Sequence, residues 1–229
     1  MNWREFWNGE HSIYVNNRHR MLHYQGIARD ITALIPSKDA VVLDHGCGEA
    51  SASADIAARC GTLYLFDSAP NVREKLRMQF STNPKIHILN DEALDALPDG
   101  ALDMVVINSV LQYLSIPEFE RLLELWHRKI KPGGRLVAAD VIPPDVDAVK
   151  DVKALLTFAR DGGFLIAAGA GLVSTFFSNY RKLRSEIGLT HYTAENLLVL
   201  LRAHDYTAER ASKNIGHNPA RMTFIATRN

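Results

Sequence analysis

The chain has 229 residues, with 26 Lys and Arg side chains balanced by 26 Asp and Glu side chains. This length predicts one domain with an accessory element, and an apolar fraction of 47% is typical of a globular protein. The neutral balance argues against a nucleic-acid substrate, because phosphate binding needs a clustered excess of basic side chains. Residues 181–229 carry eight basic and four acidic side chains, a modest basic tail.

The only cysteines are Cys47 and Cys60, which excludes a disulfide framework and a paired CxxC zinc site. The first ten residues alternate aromatic and charged side chains, unlike the apolar run of a signal peptide. We therefore expect a cytoplasmic protein. His19 and His23 have a helical spacing that could seat a metal ion. No third ligand is evident nearby, so we predict no metal site.

Short β-rich runs alternate with longer amphipathic segments from residue 40 onward. The predicted strands are 40–43, 62–66, 85–89, 104–107 and 135–141, and the predicted helices between them are 51–59, 71–80 and 117–130. This alternation indicates βαβ crossovers and a parallel sheet with helices on both faces.

The two ends of the chain differ from this middle part. Residues 16–35 predict a long helix that ends at Pro36. Residues 194–204 predict the last helix, followed by strands at 206–211 and 221–227. The short link between these strands favours an antiparallel pair over another crossover.

One segment is uncharged for 19 residues, from residue 162 to residue 180, and its centre, 164–177, is mostly apolar. This run is short for a spanning helix and contains glycines and hydroxyl side chains. We expect a helical cap or core segment over a pocket. A membrane-surface helix and a true span are the alternatives. The basic cluster Arg181, Lys182 and Arg184 that follows could pair with anionic substrate groups or lipid head groups, or form a solvated helix end.

A glycine loop follows the first predicted strand, in the run VVLDHGCGEA over residues 41–50. Gly46 and Gly48 allow a tight turn and a close approach of a ligand to the backbone. Asp67 ends the next strand, where a carboxylate can accept hydrogen bonds from both ribose hydroxyls. The loop and the acid together indicate an adenosine-bearing ligand.

Two features favour S-adenosylmethionine over a dinucleotide. Ser51 stands where the full G-x-G-x-x-G pattern would have a glycine, so a pyrophosphate-fitted loop is disfavoured. Asp44 precedes Gly46 by two residues and could attract the ammonium group of a methionine moiety. A nicotinamide-dependent oxidoreductase is therefore the weaker alternative, and a KPGG turn at residues 131–134 also disfavours it.

Four motifs in order, VLDHGCGEA, Asp67, NDEALDALPDGALDMVVINSVLQYL and KPGGRLVAADVI, resemble those of class I S-adenosylmethionine-dependent methyltransferases. The similarity is greatest to the small enzymes that methylate quinones and other small metabolites. It implies a Rossmann-like α/β fold with a mostly parallel seven-stranded sheet, helices on both faces, a C-terminal antiparallel hairpin and a helical cap insertion. The single domain then divides into an N-terminal cover (1–37), a cofactor core (38–142), the cap (143–193), and a last helix with the hairpin (194–229).

The resemblance also implies which residues bind the cofactor S-adenosylmethionine. Its methionine part would lie among Asp44, Gly46, Cys47 and Gly48, its ribose at Asp67 and Ser68, its adenine at Asp91 and the backbone of Glu92, and its sulfonium side at Asn108, Ser109 and Gln112. His45 stands at a position that is usually small or apolar in this family, and a plain loop residue is the favoured interpretation.

Methyl transfer from a sulfonium depends mainly on proximity and alignment, and a general base is needed only when the acceptor must lose a proton. Candidate acceptor-side residues are Tyr14, His19, His23, Tyr24, Tyr113, Asp140 and Tyr192. His191 is the best single candidate for a base, because it lies where the inserted cap would return to the core. The apolar run suggests a lipophilic roof and a small, lipophilic acceptor.

The sequence therefore predicts a methyltransferase that acts on a small metabolite. One alternative is a methyltransferase for a lipid or quinone at the membrane surface, in contact through residues 162–184. Another is a non-catalytic module that binds S-adenosylmethionine, although the retained acids Asp44, Asp67 and Asp91 argue against a decayed site. The acceptor atom and the oligomeric state are left open.

Overall fold

A computed structural model describes residues 3–9, 14–176 and 189–229 of the chain. The strands are β1 Val41–His45, β2 Thr62–Phe66, β3 Ile86–Leu89, β4 Leu102–Asn108, β5 Ile130–Val141, β6 Tyr206–Arg210 and β7 Met222–Arg228. They form one sheet in the order β3-β2-β1-β4-β5-β7-β6. The first five strands are parallel, whereas β7 is antiparallel to both β5 and β6. The predicted seven-stranded, mostly parallel sheet with a C-terminal hairpin is confirmed.

The helices are α1 Trp3–Asn8, α2 Asn17–Thr32, α3 Ser53–Ala57, α4 Pro70–Gln79, α5 Asp91–Asp95, α6 Ile116–Lys129, α7 Ala148–Gly162, α8 Leu165–Phe176 and α9 Ala194–Ala203, with a 3-10 turn at Leu111–Tyr113. Several begin at a side-chain cap. Ser115 and Glu118 form a reciprocal capping box at the start of α6, and Asp147 caps α7 by accepting a hydrogen bond from Lys150 N at 2.9 Å. These local signals explain why most element bounds lie close to the predicted ones.

The start of β5 is where prediction and structure differ most. The strand begins at Ile130 rather than at residue 135, because the segment interpreted as a KPGG turn continues the strand. Its register against β4 is irregular there: Leu102 is paired with Ile130, but Met104 is paired with Arg135. The extra residues of β5 interrupt its regular pairing with β4. In the sequence, such an irregular strand segment with a Pro-Gly-Gly run has the same pattern as a loop.

Two cores cover the two faces of the sheet. On one face the buried side chains of α6 and α9, including Trp126, Phe119 and Leu197, pack against the strands. On the other face Ile31 of α2 and Ile56 of α3 pack against Val42, Leu63 and their neighbours. Leu43 and Val42 are fully buried on opposite faces of β1, as a strand covered on both sides requires.

The segment after β5 forms a cap of two helices, α7 and α8, that pack on each other, and α7 also packs on α2. Phe164 and Ala168 are buried in a small separate cluster with Ala159, whereas the side chain of Ile166 is 93% exposed. The predicted helical cap thus corresponds to α7 and α8. No helix within the described ranges is long and apolar enough to cross a membrane. The basic cluster Arg181, Lys182 and Arg184 lies outside the described residues.

Candidate active site

A cavity of about 880 Å³ opens at the carboxyl ends of β1, β2, β4 and β5. The strand order reverses between β1 and β4, which lie side by side although β4 is fourth in sequence. In open α/β sheets such a reversal leaves a crevice where ligands bind. Helices α1, α2, α6 and α7 and the loop between β6 and β7 contribute to the other walls.

The loop between β1 and α3 is held against the end of β2. Gly46 N and Cys47 N both donate to Phe66 O, at 2.7 and 3.1 Å, and Gly48 N donates to Asp67 Oδ2 at 3.0 Å. Gly46 has φ of +81°, and a Cβ built there would lie 2.5 Å from Val110 Cγ2. A side chain at this position would therefore be strained and would also clash with the loop after β4.

Two buried carboxylates, Asp44 and Asp67, face the cavity. Burial and the nearby Asp67 carboxylate raise the pKa of Asp44 to about 7. Burial also raises the pKa of Asp67, and hydrogen bonds from the backbone of Ala69 and Gly48 oppose that shift. This end of the cavity therefore favours a positively charged ligand, which would stabilise both ionised carboxylates.

Two amide oxygens at the end of β4 have unsatisfied hydrogen-bonding capacity. Asn108 Oδ1 and Gln112 Oε1 are buried and accept no hydrogen bond, although both residues line the cavity. Ser109 between them has φ of +59°, an uncommon conformation for a residue with a side chain. Buried acceptors without partners are costly, so a ligand that carries hydrogen-bond donors fits this wall.

The rim beyond β2 and β3 is more exposed. Ser68 and Asp91 line the cavity, and Asp91 Oδ2 lies 3.6 Å from Arg73 Nη1. Asn90 caps α5 by accepting a hydrogen bond from Ala93 N at 2.9 Å, which fixes the start of the helix that carries Asp91. Glu92 is exposed and does not line the cavity.

The opposite end of the cavity is lined by three histidines, His19, His23 and His217, which we call the histidine cluster. Their ring centroids lie 5.7 to 6.4 Å apart, and Tyr14 lies within 5.5 Å of the rings of His19 and His23. Burial, followed by repulsion from His217, lowers the pKa of His19 to about 4 and that of His23 to about 3. These imidazoles are therefore neutral at physiological pH. In the described parts of the chain, no group of three or more His, Cys, Asp or Glu side chains is arranged to hold a metal ion.

An ion-pair network connects the cap to the sheet beside the histidine cluster. Arg221 Nη1 lies 3.0 Å from Asp140 Oδ2 at the end of β5, and Arg221 Nη2 lies 3.2 Å from both oxygens of Asp151 on α7. Asn218 Nδ2 also donates to Asp151 Oδ1 at 2.9 Å. Ser109 Oγ donates to Asp140 Oδ2 at 2.7 Å, so the network reaches the wall formed by β4.

Most of the residues selected from the sequence line this one cavity. They are Tyr14, His19, His23, Tyr24, Asp44, Gly46, Cys47, Gly48, Asp67, Ser68, Asp91, Asn108, Ser109, Gln112, Tyr113 and Asp140. Tyr192 instead packs in the core against Phe119, with ring centroids 6.0 Å apart. His191 is exposed and does not line the cavity. The expected base position is therefore corrected: the chain returns to the core at residue 192, and the preceding side chain faces outward.

Other cavity residues had not been selected from the sequence. His217, Asp151 and Arg221 come from the β6–β7 loop and the cap, and no local motif marks them. His45 is buried rather than a plain loop residue, and its Nδ1 accepts a hydrogen bond from Trp126 Nε1 at 3.4 Å. The predicted strand ended at residue 43, whereas β1 extends to His45, so no pattern in the sequence marked this contact.

Comparison with known proteins agrees with this geometry. Residues 43–138 match the family described as "Methyltransferase domain". The chain is 28% identical over 117 residues to a probable cobalt-precorrin-6B C(15)-methyltransferase of Methanothermobacter thermautotrophicus, covering 47% of this chain and 55% of that protein. It is 26% identical over 119 residues to demethylmenaquinone methyltransferase of Bacillus licheniformis, covering 50% of each. The chain thus spans about half the length of these curated relatives.

Similar solved structures extend over the whole chain. Magnesium protoporphyrin IX methyltransferase from Synechocystis, with S-adenosylhomocysteine bound, has a TM-score of 0.60 at 16% identity, covering 99% of this chain and 93% of that one. An N-methyltransferase from Bradyrhizobium japonicum, also with S-adenosylhomocysteine, has a TM-score of 0.59 at 16% identity, covering 99% and 96%. At this identity the likeness shows the fold.

Residues 43–138 thus match a methyltransferase domain, and the whole chain has the Rossmann-like fold of solved class I methyltransferases. Two of these structures contain S-adenosylhomocysteine, the demethylated form of S-adenosylmethionine. The residues at the acidic end of the cavity fit this cofactor. It carries an ammonium group and a sulfonium, and that end offers the carboxylate of Asp44 and the unpaired oxygens of Asn108 and Gln112.

Proposed function

We propose that this protein transfers a methyl group from S-adenosylmethionine to a small acceptor bound in the same cavity. The observation that carries this proposal is the continuity of the cavity, which joins the acid-and-glycine end to the end lined by the histidine cluster. One cavity with two chemically different ends suits a cationic cofactor at one end and an uncharged acceptor at the other.

The cofactor-binding roles follow the order of the strands. Asp44, with the loop of Gly46, Cys47 and Gly48, would surround the methionine part of the cofactor. Asp67 and Ser68 would hold the ribose, and Asp91 with the backbone of Glu92 would meet the adenine. Asn108, Ser109 and Gln112 would face the sulfonium side. The support is that all of these except Glu92 line the cavity.

The bound cofactor would supply a methyl group already activated by a positively charged sulfur. The main task of the chain's own residues is then to hold the acceptor in line and to exclude water. The cap helix α7 covers the acceptor end, and the Asp151–Arg221 pair attaches it to the hairpin loop. The stacked rings of His19 and Phe164, 5.1 Å apart, hold helix α2 against the cap.

The relatives do not select one acceptor, because their names refer to a precorrin in one case and a demethylmenaquinone in another. We therefore propose to incubate the protein with metabolite extract and S-adenosylmethionine that carries a deuterated methyl group. Mass spectrometry should show an acceptor that gains one labelled methyl group. A protein that binds the cofactor but labels nothing in extracts of its own source would be a binding module instead.

Gly46→Ala is the matched negative variant for this experiment. The added Cβ would clash with Val110 in a backbone conformation with positive φ, so we expect labelling to fall at least about tenfold, corresponding to about 1.4 kcal/mol. Gly26→Ala is the control, because no atom lies within 4 Å of a Cβ built at that helical position. Equal labelling by wild type and Gly46→Ala would show that the glycine loop does not hold the cofactor.

A lipophilic acceptor taken up at a membrane surface is a second candidate. It is favoured by the exposed side chains of Leu165 and Ile166 at the start of α8, inside the predicted contact segment 162–184. Burial of an isoleucine side chain contributes about 2 kcal/mol, so Ile166→Glu should reduce co-sedimentation with anionic liposomes several-fold. If the wild-type protein stays in the supernatant, the proposal of an acceptor at a membrane surface fails, whereas the proposal of methyl transfer is unaffected.

A further inference from the structure

Two neighbouring residues in the cavity wall have a left-handed backbone conformation although neither is glycine. Ser109 follows β4 with φ of +59°, and Asp140 lies near the end of β5 with φ of +57°. They lie side by side, because Asn108 is paired with Ala139 and Ser109 N donates to Ala139 O at 3.1 Å. Such conformations cost stability, and residues that adopt them cluster at active sites and ligand-binding sites.

A chain of hydrogen bonds connects these two residues to the side chain of Asn108. Both carboxylate oxygens of Asp140 are acceptors, Oδ2 for Arg221 Nη1 at 3.0 Å and Oδ1 for Asn214 Nδ2 at 3.3 Å. Ser109 Oγ lies 2.7 Å from Oδ2 and must therefore donate its hydrogen to Asp140. Its lone pairs then accept a hydrogen bond from Asn108 Nδ2 at 3.3 Å. This order fixes which end of the Asn108 amide is the nitrogen and which is the oxygen.

The amide oxygen of Asn108 is thereby held as an acceptor that lacks a protein donor. Within the described parts of the chain, neither Asn108 Oδ1 nor Gln112 Oε1 accepts a hydrogen bond, although both atoms are buried. Both residues line the cavity, and the side chain of Gln112 is only 5% exposed. Because unpaired buried acceptors are costly, we expect a ligand with an N–H or O–H group at this wall.

The acceptor is better suited than the cofactor to supply that hydrogen. In the proposed arrangement the ammonium group of S-adenosylmethionine lies at Asp44, and a sulfonium has neither an N–H nor an O–H group. Asn108 would face the sulfonium side, where the reacting atom of the acceptor has to come within about 3–3.5 Å of the methyl carbon. A hydrogen on that reacting atom is then next to the unpaired oxygen.

We infer that Asn108 Oδ1 binds the reacting group of the acceptor, and that this group is an N–H or O–H group. The inference rests on the methyl transfer proposed above. Ser109 and Asp140 are positioning residues, because they act through the orientation of Asn108. A lone pair of the acceptor nitrogen or oxygen forms the bond to the methyl carbon, while the carbon–sulfur bond breaks and its electron pair goes to sulfur. The methylated atom takes over the positive charge and then releases its hydrogen to water as a proton.

The number of exchangeable hydrogens tests the acceptor class on the wild-type protein. The acceptor that gains a labelled methyl group in metabolite extract is compared with its product by mass spectrometry in D₂O. Methylation of an N–H or O–H group removes one rapidly exchanging hydrogen, so the product should have one fewer than the acceptor. Fragment masses should then locate the label on nitrogen or oxygen. An unchanged number, or a label on carbon or sulfur, would overturn the inference.

Two variants of Ser109 separate a positioning role from a structural one. Ser109→Gly and Ser109→Ala both remove Oγ, but only glycine adopts φ of +59° without strain, so the glycine variant should resist urea better. Both should bind the identified acceptor about tenfold more weakly in the presence of S-adenosylhomocysteine, with a similar fall in kcat. Wild-type affinity and turnover in Ser109→Gly would overturn the positioning role.

Asp205 provides the matched control for these two variants. It is exposed, lies between α9 and β6 with φ of +62°, and does not line the cavity. Asp205→Gly should again resist urea better than Asp205→Ala, but both should keep wild-type turnover. A loss of turnover at Asp205 equal to that at Ser109 would show that backbone strain, and not the Ser109 hydroxyl, controls activity.

Asn108→Leu tests the binding contact itself, because leucine has a similar size and no amide oxygen. We expect at least about tenfold weaker binding of the acceptor, with S-adenosylhomocysteine affinity within about threefold of wild type. Unchanged acceptor affinity, or a loss confined to S-adenosylhomocysteine, would overturn the inference. If Asn108→Leu does not fold, the Ser109 variants and the hydrogen count decide. If the wild type labels no acceptor at all, the proposed function fails and not only this inference.

Discussion

Asp44→Asn is expected to bind S-adenosylmethionine about 100-fold more weakly than the wild type at pH 8, equivalent to about 2.7 kcal/mol. Asp44 is buried at the end of β1 beside Asp67, and the ammonium group of the cofactor would be its counter-charge. Asparagine keeps the shape of the side chain but removes its charge. The loss of affinity therefore measures the ion pair and not a change in side-chain volume. Calorimetry with S-adenosylmethionine and S-adenosylhomocysteine measures both affinities, and both should fall because both ligands carry the ammonium group.

The pH dependence of the same binding gives a second readout. The pKa of Asp44 is about 7 in the free protein, so about one molecule in ten is ionised at pH 6 and nine in ten at pH 8. Wild-type affinity should therefore rise about tenfold over that range, and Asp44→Asn should remove this dependence. Asp39→Asn, an exposed acid that does not line the cavity, is the control.

The stability of the ligand-free wild type should change with pH in the opposite direction to its affinity for the cofactor. A carboxyl whose pKa is raised by folding binds its proton more tightly in the folded state, so the free energy of unfolding falls as the pH rises from about 4 to about 7. Asp44→Asn avoids this loss and should be more stable than ligand-free wild type at pH 8, by at most about 4 kcal/mol. A variant that binds the cofactor normally, or that is less stable at pH 8, would contradict the account of this acid.

Arg221→Met is expected to be the most destabilising single change near the cavity, lowering the free energy of unfolding by about 3–5 kcal/mol. It leaves the carboxylates of Asp140 and Asp151, both mostly buried, without their shared guanidinium. Because Asp151 is on α7, the cap should also lose its attachment to the hairpin loop, and amide exchange in α7 should become faster. Urea unfolding and hydrogen exchange measure the two effects.

The exposed pair of Lys150 and Asp145 is the control for Arg221→Met. Its Nζ–Oδ2 distance is 2.7 Å, but both side chains are largely in solvent, so Lys150→Met should cost at most about 1 kcal/mol. Arg221→Met with Asp151→Asn should recover part of the loss, since the double variant also removes one of the two carboxylates that the guanidinium contacts. If Arg221→Met were as mild as Lys150→Met, the network would not hold the cap.

The sheet was predictable from the sequence because its strands are short apolar runs that are buried on both faces. Val42 and Leu43 represent this pattern, and the runs at 62–66 and 104–107 repeat it. The N-terminal helix and the hairpin were equally marked by capping and turn residues. The start of β5 was missed because a Pro-Gly-Gly sequence is typical of a turn, whereas pairing with β4 extends the strand to Ile130.

The end of the cavity at the glycine loop could be predicted for the same reason. Asp44, Gly46 and Asp67 lie at the ends of adjacent parallel strands, so their order along the chain determines where they meet. The acceptor end is assembled differently. His217 comes from a loop between antiparallel strands, Asp151 from the cap and His23 from α2, and only tertiary packing brings them together. Local periodicity contains no information on such contacts, which explains why Asp151, Arg221 and His217 were not selected from the sequence.

Equilibrium binding of S-adenosylmethionine and NADH to one sample of the protein, compared with Asp67→Ala, tests the central claim most directly. Whichever of the two ligands binds at the glycine loop and at Asp67, directly after β2, identifies the class of reaction that this cavity supports. The account predicts binding of S-adenosylmethionine and S-adenosylhomocysteine, no binding of NADH at the same concentration, and a loss of at least about tenfold in Asp67→Ala. Binding of NADH, or an unchanged affinity of Asp67→Ala for S-adenosylmethionine, would contradict it.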